Sequence, residues 1–251
     1  MRKPILSPAE AAAAIEDHAT LVVEGSGGGL LEPDLLLRGL RERFLDTSRP
    51  RDLTLIHCTG IGNKAEGGLG MIALDGLIKR VVAGNWAMAP AMGRMALEGR
   101  FEAYNFPQGV MSQLFREIAS GRPGLITHVG LHTFVDPRYQ GGKLNDATYE
   151  DLVELITIHG REWLLYKPFP IDVAFIRGTT IDEEGNLSIE EEGARLEVLA
   201  VAQAAHNAGG KVIAQAKRLA VAGSLPARQV VVPGFLIDAI VIHPGQWQTV
   251  E

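Results

Sequence analysis

The first half of the chain alternates short β-branched runs with longer segments whose apolar residues recur at helical spacing. Residues 20–24 form a short run that stops at a glycine cluster, and residues 32–46 carry leucines and Phe44 on one helical face. Ser7 and Glu10 form a capping box sequence with Pro8 at the first helical position, which predicts a helix start. The same reasoning predicts strands at 53–57, 80–83 and 102–104 and helices at 72–77, 89–98 and 109–119.

The pattern changes beyond residue 121. Residues 127–145 are rich in Gly, Pro and polar residues and are long for a connection, so we interpret them as a functional excursion. The runs 152–158 and 162–166 predict a β-hairpin. Six acidic residues within 182–192 surround a Gly-Asn turn, and we interpret their charges as a solvated surface. The remaining elements are strands at 173–177, 212–215 and 236–242 and a helix at 194–208.

This order of elements predicts the fold class. Strands that alternate with helices of about 10 to 15 residues indicate a mostly parallel sheet covered on both faces. We therefore expect one three-layer α/β domain with an open sheet over residues 1–242, and an antiparallel excursion around 152–166. We interpret residues 243–251 as the start of a linker.

Composition narrows the class of protein. A chain of 251 residues with 46% hydrophobic residues is an ordinary globular protein, and its net charge of −6 provides no basic field for nucleic acid. The apolar runs are far shorter than the roughly 20 residues that span a membrane, so we expect a cytoplasmic protein with no membrane partner. The single cysteine, Cys58, has no partner for an internal disulfide and follows a predicted buried strand.

The glycine cluster Gly25-Ser26-Gly27-Gly28-Gly29 is the first candidate for chemistry. Backbone N–H groups at a strand–helix junction can bind an anion or oxyanion, although the cluster also fits a tight turn with no ligand. Leu30 stands where the dinucleotide fingerprint needs Gly or Ala, and no P-loop sequence is present.

Few side chains suggest catalysis in this chain. His128 and His132 are four residues apart in a segment that reads as extended, so we expect no metal site. No Gly-x-Ser-x-Gly elbow is present. Glu24, just before the glycine cluster, has the chemistry of a nucleophile or base, but at the end of a strand we favour a carboxylate that anchors the loop.

Several segments together resemble family I coenzyme A transferases, and specifically their N-terminal, α-subunit-like half. The resemblance covers nearly the whole chain and is carried by residues 27–29, 79–93, 102–109, 130–138 and 141–145, with further agreement at 169–179, 209–215 and 232–234. It implies a NagB/RpiA-like fold. It also implies a ping-pong transfer of CoA between an acyl-CoA and a short carboxylic acid, with CoA as a substrate and no cofactor.

In that family a glutamate forms an acyl anhydride and then a glutamyl-CoA thioester, and this glutamate belongs to the β-like half. The resemblance therefore implies no catalytic nucleophile in this chain and a β-like half as partner, fused or separate, in an oligomer of αβ units. We expect the isolated chain to be inactive and to expose apolar surface where that half docks.

The resemblance also implies the substrate-binding residues. The glycine loop would line the active-site cleft, Gln108 would contact the acyl group or carboxylate, and Asn105 and Gly109 would shape the turn beside it. The predicted set is Gly25, Gly27, Gly28, Gly29, Asn105, Gln108 and Gly109. A simpler role for Gln108 is to cap the following helix. Two other functions remain open, a sugar-phosphate isomerase and an effector-binding domain without catalysis.

Overall fold

The structure is a computed structural model that describes residues 1–247. Its larger sheet has the strand order β11-β10-β8-β1-β2-β3-β4, and all neighbours along this path are parallel. These strands are β1 (Thr20–Val23), β2 (Leu53–His57), β3 (Ile78–Ala83), β4 (Glu102–Asn105), β8 (Val173–Asp182), β10 (Lys211–Ala220) and β11 (Ala239–Ile242). The short strand β9 (Leu187–Ser188) pairs with β8 in the antiparallel sense.

A second, smaller sheet forms the antiparallel excursion. Its order is β5-β7-β6, and these strands are β5 (Leu125–Thr127), β6 (Val153–Ile158) and β7 (Arg161–Tyr166). The hairpin of β6 and β7 pairs Ile158 with Arg161 next to the turn, as its sequence predicts. In the preceding loop, the Asp136 carboxylate accepts from the backbone N–H groups of His132 and Arg138 and pairs with the Arg138 guanidinium. The long polar segment is therefore ordered by a buried carboxylate.

Helices cover both faces of the larger sheet because its strands are apolar on both sides. Leu21 and Val23 of β1 belong to one core cluster, whereas Val22 between them belongs to the other. Helices α1 (Pro8–Ala13), α2 (Asp34–Thr47) and α3 (Pro90–Leu97) pack on the first face, and α4 (Gln108–Ala119) and α5 (Val198–Asn207) on the second. The α/β class, the open, mostly parallel sheet and the antiparallel excursion are confirmed.

Five predicted elements differ from the structure, and two of them are the strands predicted at 173–177 and 212–215, which extend to Asp182 in β8 and to Ala220 in β10. The helix predicted at 72–77 is wrong, because Gly68–Ile72 forms a 3₁₀ turn and Gly76 has a φ of +82° that ends any helix. Helix α5 begins at Val198 instead of 194, after Leu196 adopts a φ of +44°. Residues Gly234–Leu236 form a 3₁₀ turn, so the last strand starts only at 239.

The acidic stretch at 182–192 is not simply solvated, contrary to the sequence interpretation. Asp182 is fully buried and accepts from the backbone N–H groups of Glu184, Asn186 and Gly223. The Glu192 side chain is also buried, at 2.9 Å from Nε of Arg177. The sequence of an acidic run does not show which of its carboxylates become buried and bind groups that are distant in the chain.

The two ends of the described structure pack on the sheet. Backbone N–H of Leu6 donates to Ile240, and Nε2 of Gln246 donates to the carbonyl of Gly178 at 2.9 Å. Residues 248–251 of the predicted linker lie outside the described residues. Among residues 1–247, no helix is long and apolar enough to cross a bilayer.

Candidate functional site

The carboxyl ends of the parallel strands bring four loops together at one edge of the larger sheet. These are the loops that follow β1, β2, β3 and β4, and they contain the glycine cluster, residues 58–62, residues 84–89 and residues 106–108. Open α/β sheets bind ligands at this edge, because the loops there diverge and leave a crevice. The four predicted glycines lie in the first of these loops, and the other predicted residues flank the last one, with Asn105 at the end of β4 and Gln108 and Gly109 at the start of α4.

The glycine loop is closed by backbone hydrogen bonds and fastened to its neighbour. Ser26 N–H donates to the carbonyl of Leu30 at 2.8 Å, and Gly28 N–H donates to the carbonyl of Gly62 at 3.2 Å. The Thr59 hydroxyl donates to the carbonyl of Gly25 at 2.9 Å. Gly28 has a φ of +78° with nothing within 4 Å of the place where a Cβ would stand, so this part of the loop is open.

Other glycines let the loops approach one another. A Cβ on Gly27 would lie 2.5 Å from Cε of Met88, and a Cβ on Gly60 would lie 2.6 Å from Oδ1 of Asn85. A Cβ on Gly84 would lie only 1.9 Å from the carbonyl oxygen of Cys58. Glycine is therefore a packing requirement at Gly84, where the clash is with backbone, whereas a Cβ at Gly27 or Gly60 would require the Met88 or Asn85 side chain to move.

Gln108 is the first residue of α4 and is exposed. The residue that caps this helix is Pro107, which makes no side-chain capping bond, so the simpler capping role has no support in the geometry. Within residues 1–247 the Gln108 side-chain amide has no hydrogen-bond partner, and its Cγ lies beside Gly84. The amide is therefore free to bind a ligand at the strand edge.

Asn105 and Gly109 flank this position. Asn105 ends β4, and its backbone N–H donates to the carbonyl of Gly142 at 2.8 Å, which ties the turn to the excursion. Gly109 lies in the first turn of α4, where nothing lies within 4 Å of the place for a Cβ. The substrate-binding roles of these two residues, of Gln108 and of the four loop glycines stay predictions.

Two buried groups lie beneath the glycine loop. The Glu24 carboxylate accepts from the backbone N–H of Glu197 at 3.0 Å, as expected for a group that anchors a loop. Burial and the nearby charge of Glu197 raise the pKa of Glu24 well above its ordinary value. The pKa of the Cys58 thiol is also raised, by burial and then by Glu197 and Glu24. Burial therefore disfavours the charged form of both groups, which is the form that a nucleophile needs.

His57, the last residue of β2, lies next to Cys58 but is also buried. Its Nδ1 is 2.6 Å from the carbonyl oxygen of Thr59, and burial lowers the pKa of His57 to about 4. A neutral ring with the proton on Nδ1 fits this contact. His57 therefore holds the loop after β2 in place.

A buried ion pair supports the glycine loop from the other side. Arg177 on β8 pairs with Glu192 and donates from Nη1 to the carbonyl of Glu32 at 2.8 Å. The second oxygen of Glu192 accepts from the backbone N–H of Leu31 at 3.3 Å. Sequence reasoning missed this support, although an arginine within the apolar strand 173–177 was an available signal.

The buried carboxyl of Glu32 follows the glycine loop. Burial and the neighbouring Asp34 raise the pKa of Glu32 to about 7, against the opposing charge of Arg177. Its Oε2 has no hydrogen-bond partner within residues 1–247. Among residues 1–247, no three His, Cys, Asp or Glu side chains lie close enough together to form a set of metal ligands.

Comparison with known proteins places this geometry in a family. A family model for coenzyme A transferase matches residues 5–243. The chain is 43% identical over 247 residues to the acetate CoA-transferase YdiF of Escherichia coli strain K12, a match that covers 98% of this chain and 46% of that protein. It is 28% identical over 243 residues to the acetate CoA-transferase subunit alpha of the same strain, a match that covers 96% of this chain and 98% of that subunit.

A solved structure agrees with these matches. The crystal structure of the acyl-CoA transferase YdiF apoenzyme from Escherichia coli O157:H7 superposes with a TM-score of 0.97 at 43% identity, covering 99% of this chain and 48% of that one. The chain therefore spans about half the length of the first curated relative and of this crystallised chain. The match of the family model to nearly all its residues shows that the chain belongs to the coenzyme A transferase family.

Proposed function

We propose that this chain is the α-like half of an enzyme that moves CoA between an acyl-CoA and a free short-chain carboxylic acid. The observation that carries the proposal is the 43% identity to an acetate CoA-transferase over 98% of the chain. Because the match covers only 46% of that relative, we infer that a β-like half completes the active site. The match to nearly the whole of a protein named as an alpha subunit supports the same division.

The proposed reaction is ping-pong. A glutamate carboxylate of the β-like half attacks the thioester carbonyl, CoA thiolate leaves, and an acyl-glutamyl anhydride forms. The thiolate then attacks the glutamyl carbonyl, which releases the first acid and leaves glutamyl-CoA. The incoming carboxylate repeats these two steps in reverse order, forming a new anhydride and then a new acyl-CoA. No cofactor takes part.

This chain would stabilise the charge that develops during these attacks. A carboxylate is a poor nucleophile toward a thioester unless fixed donors face the developing oxyanion and water is excluded. The free side-chain amide of Gln108 is such a donor, and the glycine loop supplies a surface open enough for the thioester to approach. The burial of Glu24 and Cys58, which raises the pKa of both groups, supports a nucleophile outside this chain.

Other functions have less support. A sugar-phosphate isomerase needs an acid/base pair in the cleft. Glu24, Glu32 and His57 beside the glycine loop are all buried, and Glu24 and His57 are committed to loop contacts, which leaves Glu32 without a second group to form such a pair. An effector-binding domain would bind ligand without turnover. A cytoplasmic location and an oligomer of αβ units remain parts of the proposal.

The covalent intermediate tests the proposal. The complete enzyme, containing this chain and the β-like half, is incubated with acyl-CoA, trapped with borohydride or hydroxylamine, and mapped by mass spectrometry. We expect one modified glutamate, outside residues 1–251. A label on Glu24, or on any other glutamate of this chain, would overturn the assignment. An absence of any label while transfer proceeds would refute the glutamyl-CoA mechanism.

A further inference from the structure

The glycine loop is followed by a residue with an unusual backbone conformation. Leu31 has a φ of +50° and a fully buried side chain. Among residues 1–247, it is the one non-glycine residue with a positive φ that is buried. This conformation is strained for a leucine, because its Cβ approaches a backbone carbonyl oxygen. Strained residues of this kind persist only where the surrounding contacts hold them in place.

The ion pair of Arg177 and Glu192 provides such contacts on both sides of Leu31. Oε2 of Glu192 accepts from the Leu31 N–H at 3.3 Å, and Nη1 of Arg177 donates to the carbonyl of Glu32 at 2.8 Å. Nε and Nη2 of Arg177 donate to the two oxygens of Glu192 at 2.9 Å and 3.3 Å. One ion pair therefore binds the peptide group before Leu31 and the one after Glu32.

The pair is itself held firmly. The side chains of Arg177 and Glu192 are 2% and 0% exposed, so neither charge can separate from the other without a large desolvation cost. The planar guanidinium fixes the directions of its donors. The buried side chain of Gln246 adds a third contact, from Nε2 to Oε1 of Glu192 at 3.3 Å. The pair is therefore a rigid support for the backbone at Leu31.

The rest of the glycine loop has weaker attachments. Gly25 and Gly28 are each fastened to the loop after β2 by one neutral hydrogen bond, and the place for a Cβ on Gly28 is empty. The N–H of Ser26 donates to the carbonyl of Leu30, so the conformation of Leu31 is passed directly to the start of the loop. The position of the loop backbone therefore depends on how Leu31 is held.

We propose that Arg177 and Glu192 are positioning residues for CoA transfer, because they hold Leu31 in its left-handed conformation and so fix the glycine loop that faces the thioester. The inference rests on the proposed function and adds two residues to it that touch no substrate. A surface fixed before the reaction stabilises developing charge without having to reorganise. A displaced loop is therefore expected to lower kcat more than it changes KM.

The first test shortens one carboxylate in the complete enzyme, which contains this chain and the β-like half. Glu192→Asp keeps the charge beside Arg177 but withdraws it from the Leu31 N–H. The matched control is Glu102→Asp, because Glu102 pairs with Arg80 at the start of β4, away from the site. We expect kcat of Glu192→Asp to fall at least about tenfold with KM within about threefold, and Glu102→Asp to keep the parent values.

Hydrogen exchange provides a readout that does not depend on activity. Mass spectrometry of the same proteins should show faster amide exchange in residues 25–32 of Glu192→Asp than in the parent or in Glu102→Asp. Melting temperatures are measured alongside. If Glu192→Asp does not fold, Arg177→Lys, which keeps the charge but lacks the planar fork, replaces it in every comparison.

The second test isolates the backbone conformation of Leu31. Leu31→Gly and Leu31→Ala both remove the buried side chain, but only glycine adopts a positive φ without strain. Each is combined with Glu192→Asp and with the parent Glu192. In the Glu192→Asp enzyme we expect kcat of the glycine variant to exceed that of the alanine variant at least about fivefold. With Glu192 present, the two should agree within about twofold.

The outcomes separate the two proposals. If the parent transfers CoA and the two aspartate variants have equal kcat, the positioning role is overturned and the proposed function stands. A lower melting temperature of Glu192→Asp with unchanged kcat would likewise make the ion pair purely structural. Equal rates for the glycine and alanine variants in the Glu192→Asp enzyme would also refute the proposal. A parent complex that transfers no CoA would refute the proposed function, whereas loop exchange that depends on Glu192 would still support the contact to Leu31.

Discussion

Gln108 and Glu32 show how two similar side chains differ through their surroundings. The Gln108 amide is exposed at the start of α4 without a partner among the described residues. The Glu32 carboxyl is buried behind the glycine loop with one unpaired oxygen. An exposed unpaired amide is available to a ligand, whereas a buried unpaired oxygen makes the folded protein favour the protonated acid.

Replacing Gln108 by Ala should slow transfer. In the complete enzyme the Gln108→Ala variant loses a donor to the developing oxyanion, and we expect kcat/KM to fall by a factor corresponding to about 1 to 3 kcal/mol. Gln113→Ala, an exposed glutamine farther along α4, is the matched control and should leave the rate unchanged. Equal rates for both variants would remove Gln108 from the site.

Replacing Glu32 by Gln should change how stability depends on pH. Because the folded-state pKa of about 7 lies above the ordinary 4.5, the folded protein holds the extra proton, and its stability falls as pH rises from about 4.5 to 7. Glu32→Gln removes this loss. Above pH 7 we expect the variant to be more stable than the parent by up to about 3 kcal/mol, with little difference near pH 4.5.

Urea denaturation at several pH values measures this difference. Glu16→Gln, at an exposed position, serves as the control. A constant difference between the Glu32→Gln variant and the parent across this pH range would show that Glu32 titrates normally.

At the scale of elements, contacts between loops decide the geometry of the site. The ends of β2 and β3 continue their ladder through Gly84, whose N–H donates to the carbonyl of His57 at 3.3 Å. The Cys58 carbonyl occupies the place where a side chain on Gly84 would begin. The strand ends can stay this close only with glycine at that position.

Two glycine substitutions test this point with opposite expected signs. Gly84→Ala places a methyl group 1.9 Å from the Cys58 carbonyl and should destabilise the fold by about 3 kcal/mol, because the strand ends must separate. Gly93→Ala, in α3 with no atom within 4 Å of its new Cβ, should stabilise it by up to about 1 kcal/mol. Thermal denaturation compares both with the parent. Similar melting temperatures for Gly84→Ala and the parent would contradict the packing argument.

At the scale of the whole molecule, several large apolar side chains are exposed. They include Phe134, Tyr139, Phe235 and Trp247. Apolar side chains on a surface favour contact with a partner where they form a continuous patch. We expect a second half of the enzyme to cover some of these side chains.

The corresponding prediction concerns assembly. We expect the 251-residue chain to self-associate when alone, to bind a co-expressed β-like half, and to transfer CoA only in that complex. Analytical ultracentrifugation with and without the second half, combined with an acyl-CoA:acetate transfer assay, measures both properties. A stable monomer that ignores the second half would count against this assembly, and transfer by the chain alone would refute the need for it.

The sequence was sufficient for the order and type of most elements. The capping box of Ser7 and Glu10, the β-branched strands and the β6–β7 hairpin are local signals, and the structure reproduces them. The glycine loop could also be singled out, because it follows a predicted strand and precedes a predicted helix, whereas Gln108 was indicated only by the family resemblance. Local backbone preferences and the periodicity of apolar residues act over a few residues, so they can be read without knowing the fold.

The environment of each polar group required the folded chain. Arg177 and Glu192, and likewise Glu24 and Glu197, are brought together by strands and loops distant in sequence. Burial and charge pairing depend on such long-range neighbours, which is why the acidic stretch read as solvated although Asp182 is buried. The pKa of a side chain, and whether that side chain has a hydrogen-bond partner, likewise depend on the folded surroundings. Neither can be predicted from the local sequence.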